Sequence, residues 1–508
     1  MLYWERMDSA LNQSNGLLPR PHIPSTLAIA LLGIGVGIVV GVTIAAASPL
    51  YTVAGIIALG GLIFLFADVL NGLLAFIGVA TLLPFAVIPV SIGPVRLTMV
   101  DVCLTVTLLI VLLRPLADRR ERFRSTGVDL PVFLFISVAV AAFILGTAYQ
   151  TTSSDARLFL KLLNSVFVFF TVVNAVRDQK TLERLLVYLF AGGVGAGVLG
   201  IALYFIPQAR ATQLLAALGP FGYPRTNILQ FIASTTTQRA IGTSIDPNIL
   251  GATLMMCGCI GVGLFFLPRP RPYKLAVIGG LAIILAGLLL TYSRGSLFGF
   301  IAGGAVVATF RYRRLWLLAA LLAVAIPLVP ELAQSAFVSH IQSGLLVQDK
   351  AAAMRLGEYK DAFRLIQQYP WFGVGFGQAP DVNLYVGVSS IYLLLAEQVG
   401  LIGLVIWLWA MGTIVYRGLR RCAVAQDDAS TLAVGCLAAL VSALVGGIFD
   451  HHFVDMNFPH VVGMVWLIAG LQLVGLNLSR AADSPKEMTE LLTTKISALP
   501  RQSTSPVR

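Results

Sequence analysis

The sequence predicts an all-α integral membrane protein, a polytopic bundle of about 12–14 transmembrane helices with a large outer-face loop carrying an amphipathic helix. Three observations predict it. The 508 residues are 57% hydrophobic and 12% charged, with a mean hydropathy of +0.86, whereas soluble domains hold roughly 45–50% apolar and about 25% charged residues. The apolar residues come in unbroken runs, such as 29–47 and 185–206, not in the in–out alternation of a membrane barrel strand. A spanning helix needs about 20 apolar residues, so about fourteen would use about 280, close to the apolar content of the chain.

The elements follow in order. Residues 1–25 are mostly polar and read as a cytoplasmic segment; the run that starts near Thr26 continues without a cleavage site, so a cleaved signal peptide is not expected. Apolar runs lie near 26–47, 50–66, 70–90, 97–113, 130–148, 158–176, 185–206, 247–267, 275–291, 295–310, 315–330, 389–415, 430–449 and 458–478. Only Ala67–Asn71 separates the second from the third, and a re-entrant pair there would give twelve spans instead of fourteen. The transmembrane domain is thus 26–478. The polar tail 479–508, with Ser, Thr and Pro, is expected to be disordered and cytoplasmic.

Basic clusters fall in alternate loops, at 114–124, 177–184, 269–274, 311–314 and 417–421. Of the 35 Lys and Arg, ten fall on the opposite face and Lys161 inside a span, leaving 24 on this face. Lys and Arg are retained inside during insertion, so this face and both termini are cytoplasmic. The net charge of +11 is thereby accounted for by membrane topology, and nucleic acid is not an expected partner. The bilayer is. Cys103, Cys257, Cys259, Cys422 and Cys436 lie in or beside apolar runs, in no metal-ligand or disulfide pattern.

Two outer loops, 207–246 and 331–388, are long enough to be functional, and their helix and turn signals suggest a folded cap. The outer cations are Arg96, Arg157, Arg210, Arg225, Arg239, Arg294, Lys350, Arg355, Lys360 and Arg364. Arg294 is the most pointed, in the short break Thr291-Tyr292-Ser293-Arg294-Gly295 between two runs. An arginine there is paired, functional, or snorkels to the headgroups. Residues 351–369 read as an amphipathic helix, with Ala352, Leu356, Tyr359, Phe363 and Ile366 on an apolar stripe and Arg355, Glu358, Asp361 and Arg364 on a polar row. That row either faces a cleft while the helix lies on the membrane, or is a solvated set of i,i+3 pairs.

The segment Gly373-Val374-Gly375-Phe376-Gly377 has no preceding strand and no Lys-Ser/Thr helix start after it, so a phosphate loop is not expected; a tight turn near a ligand or a span is. Among His340, His451, His452 and His460, the sequence Asp450-His451-His452 stands where a span meets the outer face, followed by Asp455 and Asn457. Adjacent histidines on a helix point about 100° apart and rarely share a metal, whereas a carboxylate–histidine pair can act as a base or simply cap helix ends. Asp101 and Glu397 lie within apolar runs, and an intramembrane carboxylate is a functional candidate.

The order of several motifs resembles the O-antigen ligase / O-antigen polymerase family of bacterial membrane glycosyltransferases. They are Arg239-Ala240-Ile241-Gly242, Asp246-Pro247-Asn248, Thr291 to Gly295, Met354 to Tyr359, Tyr369 to Gly375, Ile391-Tyr392-Leu393 and Glu397 to Gly403, across about residues 230–410. The resemblance implies transfer of a glycan from undecaprenyl diphosphate to an acceptor hydroxyl of a glycan, lipid or protein, at the outer face of the cytoplasmic membrane, without a metal or cofactor. It implies that Arg239, Arg294 and Arg355 bind the diphosphate, where guanidinium donors meet growing negative charge. One departure stands out. Ligases of that family have a histidine about three residues before the Tyr-Leu of the last motif, as the base, and this chain has Ser389-Ser390-Ile391-Tyr392-Leu393. The candidate bases are then Glu358, Asp381, Asp450 and His451. The departure leaves repeat-unit polymerisation open beside ligation, and a transporter of solute, ion or lipid-linked sugar is the alternative from another class.

Overall fold

The computed structural model describes residues 37, 60–61, 63–88, 97–117, 122–148, 151–226, 228–232, 236–317, 320–321, 350–377 and 387–497, with only the backbone course given for 350–353 and 482–497. The chain divides into residues 1–67 and 68–508. In the first unit the described residues are helical and mostly apolar, and the first two expected spans lie largely outside them.

In the second unit the α-helices are α1 Val69–Leu82, α2 Met99–Ala117, α3 Asp129–Gly146, α4 Ser153–Ala175, α5 Gln179–Phe205, α6 Gln208–Ala216, α7 Pro247–Phe265, α8 Arg271–Leu290, α9 Arg294–Phe310, α10 Lys350–Gln368, α11 Ile391–Cys422, α12 Asp428–Gly446 and α13 Pro459–Ser497. No strand is present among the described residues, only isolated bridges at Val87–Thr98 and Phe231–Gln238. Eight of these helices are long and apolar enough to cross a membrane: α3, α4, α5, α7, α8, α11, α12 and the Pro459–Ala481 part of α13. The apolar helices α1 and α9 are shorter. The expected span near 315–330 lies largely outside the described residues. The bundle exposes Leu130, Ile144, Leu160, Phe205, Leu275 and Val405, a scatter of large apolar side chains suited to lipid contact. The fold is that of a polytopic all-α membrane protein.

Local chemistry sets the helix starts. Asp246 caps α7, its Oδ1 accepting from the N–H of Asn248 at 2.7 Å and of Ile249 at 3.3 Å, with Pro247 as the first helical residue. Thr152 and Asp155 form a capping box on α4. Asp101 is not an isolated intramembrane carboxylate: it sits in the first turn of α2, accepts from Thr98 N and lies 2.7 Å from Lys161 Nζ. That pairing explains both charges.

Helices α7, α12 and the Pro459–Ala481 part of α13 form the buried centre. Apolar burial cannot drive helix association in lipid, so close backbone approach and van der Waals contact must. Gly295, Gly299 and Gly303 of α9 face Gly446, Ser442 and Ala438 of α12: a Cβ on Gly299 would stand 2.5 Å from Ser442 O, and one on Gly303 would stand 2.6 Å from Ala438 O. This seam places the first residue of α9, Arg294, beside the end of α12.

α11 breaks at Gly400, whose φ of 71° and ψ of 179° are not helical. The break frees backbone groups that the 370–375 segment satisfies: Val374 N donates to Glu397 O at 2.8 Å and Gly375 N to Gln398 O at 3.0 Å, while Leu401 N donates to Pro370 O at 2.8 Å. Gly-x-Gly-x-Gly is thus a loop pressed on a broken span, the only kind of irregular backbone that a membrane interior tolerates.

The predicted basic loops meet at one end of the bundle. Arg269 pairs with Glu183 at 2.6 Å and Asp428 at 3.4 Å, Arg311 donates to Ser430 Oγ and Cys422 O, Arg417 to Thr126 O, and Arg421 to Ser479 Oγ. The last helix continues to Ser497, so the start of the segment expected to be disordered is helical; backbone hydrogen bonding carries it past the apolar stretch despite its polar composition. Arg239, Arg294, Glu358, Ser389 and Asp450 belong to segments at the other ends of these helices.

Candidate active site

Arg239 lies after α6, in the long 207–246 segment. Its Nε donates to Thr291 O at 2.8 Å and its Nη2 to Asn248 Oδ1 at 2.8 Å, tying the end of α8 to the start of α7. The other guanidinium N–H groups have no partner among the described residues. Two non-glycine residues with positive φ flank these ties, Ile245 at 64° and Tyr292 at 51°. A β-branched residue in that region is costly, and such strain gathers where side chains must be aimed. Burial pushes the Arg239 guanidinium down to about 10, with Asp246 and Asp450 opposing and Arg294 and Arg355 adding to the shift. It stays charged at neutral pH.

Arg294 is the first residue of α9, whose N-cap Ser293 makes no side-chain cap bond and instead meets Ser296 Oγ at 3.0 Å. Arg355 lies on α10. The three arginines, from segments remote in sequence, are near enough that the charges of Arg294 and Arg355 both act on Arg239, and those of Arg239 and Arg355 bear on Asp450. The three expected arginines are thus within electrostatic range of one another.

α10 turns its polar row inward. Ala362 and Leu365 are buried, while Met354, Leu356 and Phe363 are exposed. Glu358 Oε2 accepts from Ser389 N at 3.0 Å and Ser389 Oγ at 2.8 Å. Only Arg364, 3.6 Å from Asp361 with its side chain two-thirds exposed, behaves as a surface pair. Of the two readings of this helix, the geometry favours a charged face toward a cleft with an open apolar face, as on a bilayer surface.

The segment 450–457 is a turn, not a helix. His451 and His452 would diverge on a helix, but in this turn ligand atoms of Asp450, His451 and His452 lie within 4.8 Å of one another. They are engaged with each other. Asp450 Oδ1 is 3.0 Å from His452 Nε2, out of line for a hydrogen bond, and 3.5 Å from His451 Nδ1, while Asp455 Oδ2 is 3.3 Å from His451 Nε2. With Arg239 and Arg355 bearing on the same carboxylate, the arrangement reads as an ion-pair network, because a cation would be repelled by the guanidinium groups. Burial would raise the Asp450 carboxyl, but His452, His451 and Arg355 outweigh it and hold it below the ordinary carboxylate range. Burial would lower His452, but Asp450 raises it above the usual histidine value. His451 is lowered, by burial and by His452, against the pull of Asp450, Asp455 and Glu358.

A cavity of about 160 Å³ opens beside this turn, lined by Glu358, Phe376, Ser389, Gln398, His451, Asp455 and Asn457 among others. Three of the four expected bases thus belong to one region, with Asp450 immediately behind His451. Asp381, Arg96 and His340 lie outside the described residues. His460 is buried against Phe85 and Phe458, away from the cavity lining. Sequence reading passed over Gln398 and gave Asp455 no role. No periodic signal marks either; Asp455 stands five residues after Asp450, and the turn alone joins them.

The segment joining Gly251 of α7 to Leu408 of α11 contains Arg294, Arg355, the glycine loop and the Gly400 break. Residues 251–408 match the O-antigen ligase family. The match covers just under a third of the chain and agrees with the resemblance carried by the motifs. Arg239 and the 450–457 turn lie beyond it. No curated protein matches the chain. One solved chain, from a structure described as "Structural coordination of polymerization and crosslinking by a peptidoglycan synthase complex", is similar over 68% of this chain and 96% of its own, at 15% identity and a TM-score of 0.36.

Proposed function

We propose that this protein is a membrane glycosyltransferase of O-antigen ligase type, which moves a glycan from undecaprenyl diphosphate to an acceptor hydroxyl at the outer face of the cytoplasmic membrane. The observation that carries the reading is that Arg239 lies within electrostatic range of Arg294, Arg355 and Asp450 in a chain whose middle matches that family. When the glycosidic C–O bond breaks, the lipid diphosphate gains negative charge. Arginines already in place, beside the uncapped N-terminus of α9, can bind that charge without reorganising. Permanently charged guanidinium groups do what a divalent cation does elsewhere, so no metal or cofactor is required. The hydroxyl would attack the anomeric carbon from the side opposite the diphosphate, inverting it. The polyprenyl chain would lie along the apolar exterior of the bundle.

The basic loops gathered at the other end, with the positive-inside rule, support an outward-facing site and inward termini. Ser389, where ligases of the family have histidine, favours polymerisation of repeat units as the second reading. The test is the size distribution of undecaprenyl-linked glycan in a strain lacking this protein. Long chains stranded on the carrier are expected for a ligase, and single repeat units for a polymerase; an unchanged pool would overturn the proposal in favour of a transporter.

A further inference from the structure

The basic end of the bundle holds a cleft that the proposed reaction leaves unused. It lies between the ends of α2 and α4 and the 122–127 segment, and Arg114, Arg122, Phe123, Asn174 and Arg177 line it. Three guanidinium groups thus share one cleft, and among the described residues no acid lines it. The acids nearby in sequence are committed to local turns. Asp178 caps α5, accepting from Thr181 N at 2.9 Å and Thr181 Oγ1 at 2.7 Å. Asp129 accepts from Ser125 Oγ, Thr126 N, Thr126 Oγ1 and Gly127 N. Asp68 does approach Arg114, at 3.6 Å, but its side chain is half exposed, and such a pair is worth little.

The 122–127 segment is tied down at both ends, so Arg122 is carried at a set place. Arg124 N donates to Asn174 Oδ1 at 2.8 Å, and Asn174 Nδ2 donates to Phe170 O at 2.8 Å. At the other end Asp129 folds the turn and Arg417 donates to Thr126 O. Charges that only hold a loop inside during insertion need no such setting, because any exposed position serves. From Asn174 a half-exposed apolar stripe runs along α4 through Phe170, Phe167 and Leu163, at the steps of four and three that share a helix face. Phe133 of α3 is exposed and stacks on Phe170 at 4.5 Å. The positive cleft therefore continues into an open apolar face. Three like charges in one cleft repel, and a phosphate anion removes that repulsion while accepting their N–H groups. Soluble phosphate and a lipid headgroup share this chemistry. The apolar stripe favours the lipid, whose acyl chain it can cover.

We infer that this cleft binds the phosphate of an anionic phospholipid of the bilayer, with an acyl chain laid along Phe170, Phe167 and Phe133. Arg114, Arg122 and Arg177 hold the phosphate, and Asn174 sets the 122–127 segment against it. The bound lipid bridges α2 and α4 at their basic ends, and the Lys161–Asp101 pair joins the same two helices farther along. The lipid is a strut of the scaffold. The inference needs the membrane fold alone and stands whichever reaction the candidate active site performs.

The experiment titrates the purified full chain in mild detergent with phosphatidylglycerol or phosphatidylcholine and follows bound lipid by intact-mass spectrometry. The wild type should take up one phosphatidylglycerol in preference to phosphatidylcholine. Arg122→Gln should weaken that lipid about fivefold, and the triple variant Arg114→Gln, Arg122→Gln, Arg177→Gln about 10²-fold. A charge-matched triple, Arg313→Gln, Arg314→Gln, Arg420→Gln, whose exposed side chains lie outside the cleft, should keep wild-type affinity. Excess inorganic phosphate should leave the lipid bound. Equal affinity in the two triples, or no preference in the wild type, would overturn the inference. Displacement by inorganic phosphate would assign the cleft to a soluble anion and overturn the lipid as its occupant. Should the cleft triple fail to accumulate, Arg122→Gln carries the test by itself, and wild-type affinity in it would be equally decisive against the site.

Discussion

Gly299→Ala is a one-carbon change that links the packing seam to the site. The added Cβ would stand 2.5 Å from Ser442 O, and ordinary contact begins at 3.4 Å, so α9 must withdraw from α12 by 0.9 Å at that point. The obstacle is backbone carbonyl, so no side-chain rotation relieves it. Arg294 lies five residues earlier, about 7.5 Å along the same helix, and moves with it. Displacing a catalytic group by about 1 Å can cost about 10²-fold in rate. Overpacking costs about 1–3 kcal/mol, while replacing a helical glycine by alanine returns about 1 kcal/mol, so a net loss of about 0–2 kcal/mol is expected. Gly304, on the same helix with nothing within 4 Å of its Cβ position, is the control: Gly304→Ala should keep wild-type transfer and gain slightly in stability. Thermal unfolding of the solubilised protein and consumption of carrier-linked glycan in cells would be measured together. If Gly299→Ala matched Gly304→Ala in both, the seam would not be what aims Arg294.

Other outcomes follow from the same geometry. Arg294→Ala and Arg355→Ala should each cost at least about 10²-fold in transfer with normal insertion, checked by membrane abundance and glycan consumption. Arg239→Ala should lose transfer and also stability, since its bonds to Thr291 O and Asn248 Oδ1 hold two helix ends; a melting temperature equal to that of Arg294→Ala would contradict this. Gly400→Ala should fail to accumulate, because φ is +71° and a Cβ would strike Trp371 O; normal yield in a membrane fraction would show that the break adjusts. The Asp450–His452 pair gives stability a pH signature. His452 is raised in the fold, so its contribution is full below the unfolded value of about 6.5 and is lost as pH rises through the folded value. Asp450 is depressed, so its contribution is present above about 3.9 and is lost below it. His452→Gln should remove the alkaline decline in melting temperature, and a decline that persisted would place its origin elsewhere.

Much of this architecture is written locally. The span expected at 247–267 is α7 at Pro247–Phe265 because a capping aspartate and a proline mark its start and an apolar run its length. The arginines stood out because an uncompensated charge at a membrane face is expensive, and the charges of Arg294 and Arg355 both act on Arg239. The rest depended on tertiary contact. The glycines at 295, 299 and 303 repeat every fourth residue, a signal present in the sequence, but its meaning needs the facing Ala438, Ser442 and Gly446. The cavity joins positions 358, 389, 398 and 451, and no spacing rule links them. The helical assumption failed at His451 because the chain turns immediately after Phe449, where α12 has already ended at Gly446. The helix past Ser479 was missed because polar composition there argued against order while backbone hydrogen bonding favoured continuation.

The proposed function requires the arginine cluster to hold a lipid diphosphate while its glycan is transferred. The direct measurement is the release of free undecaprenyl diphosphate by the purified full chain in lipid bilayers, supplied with carrier-linked glycan extracted from the strain lacking it and with acceptor from the same cells. Acceptor-dependent release is expected from the wild type, and none above background from Arg294→Ala or Arg355→Ala. Equal release by all three, or carrier-linked glycan crossing the bilayer intact, would contradict it.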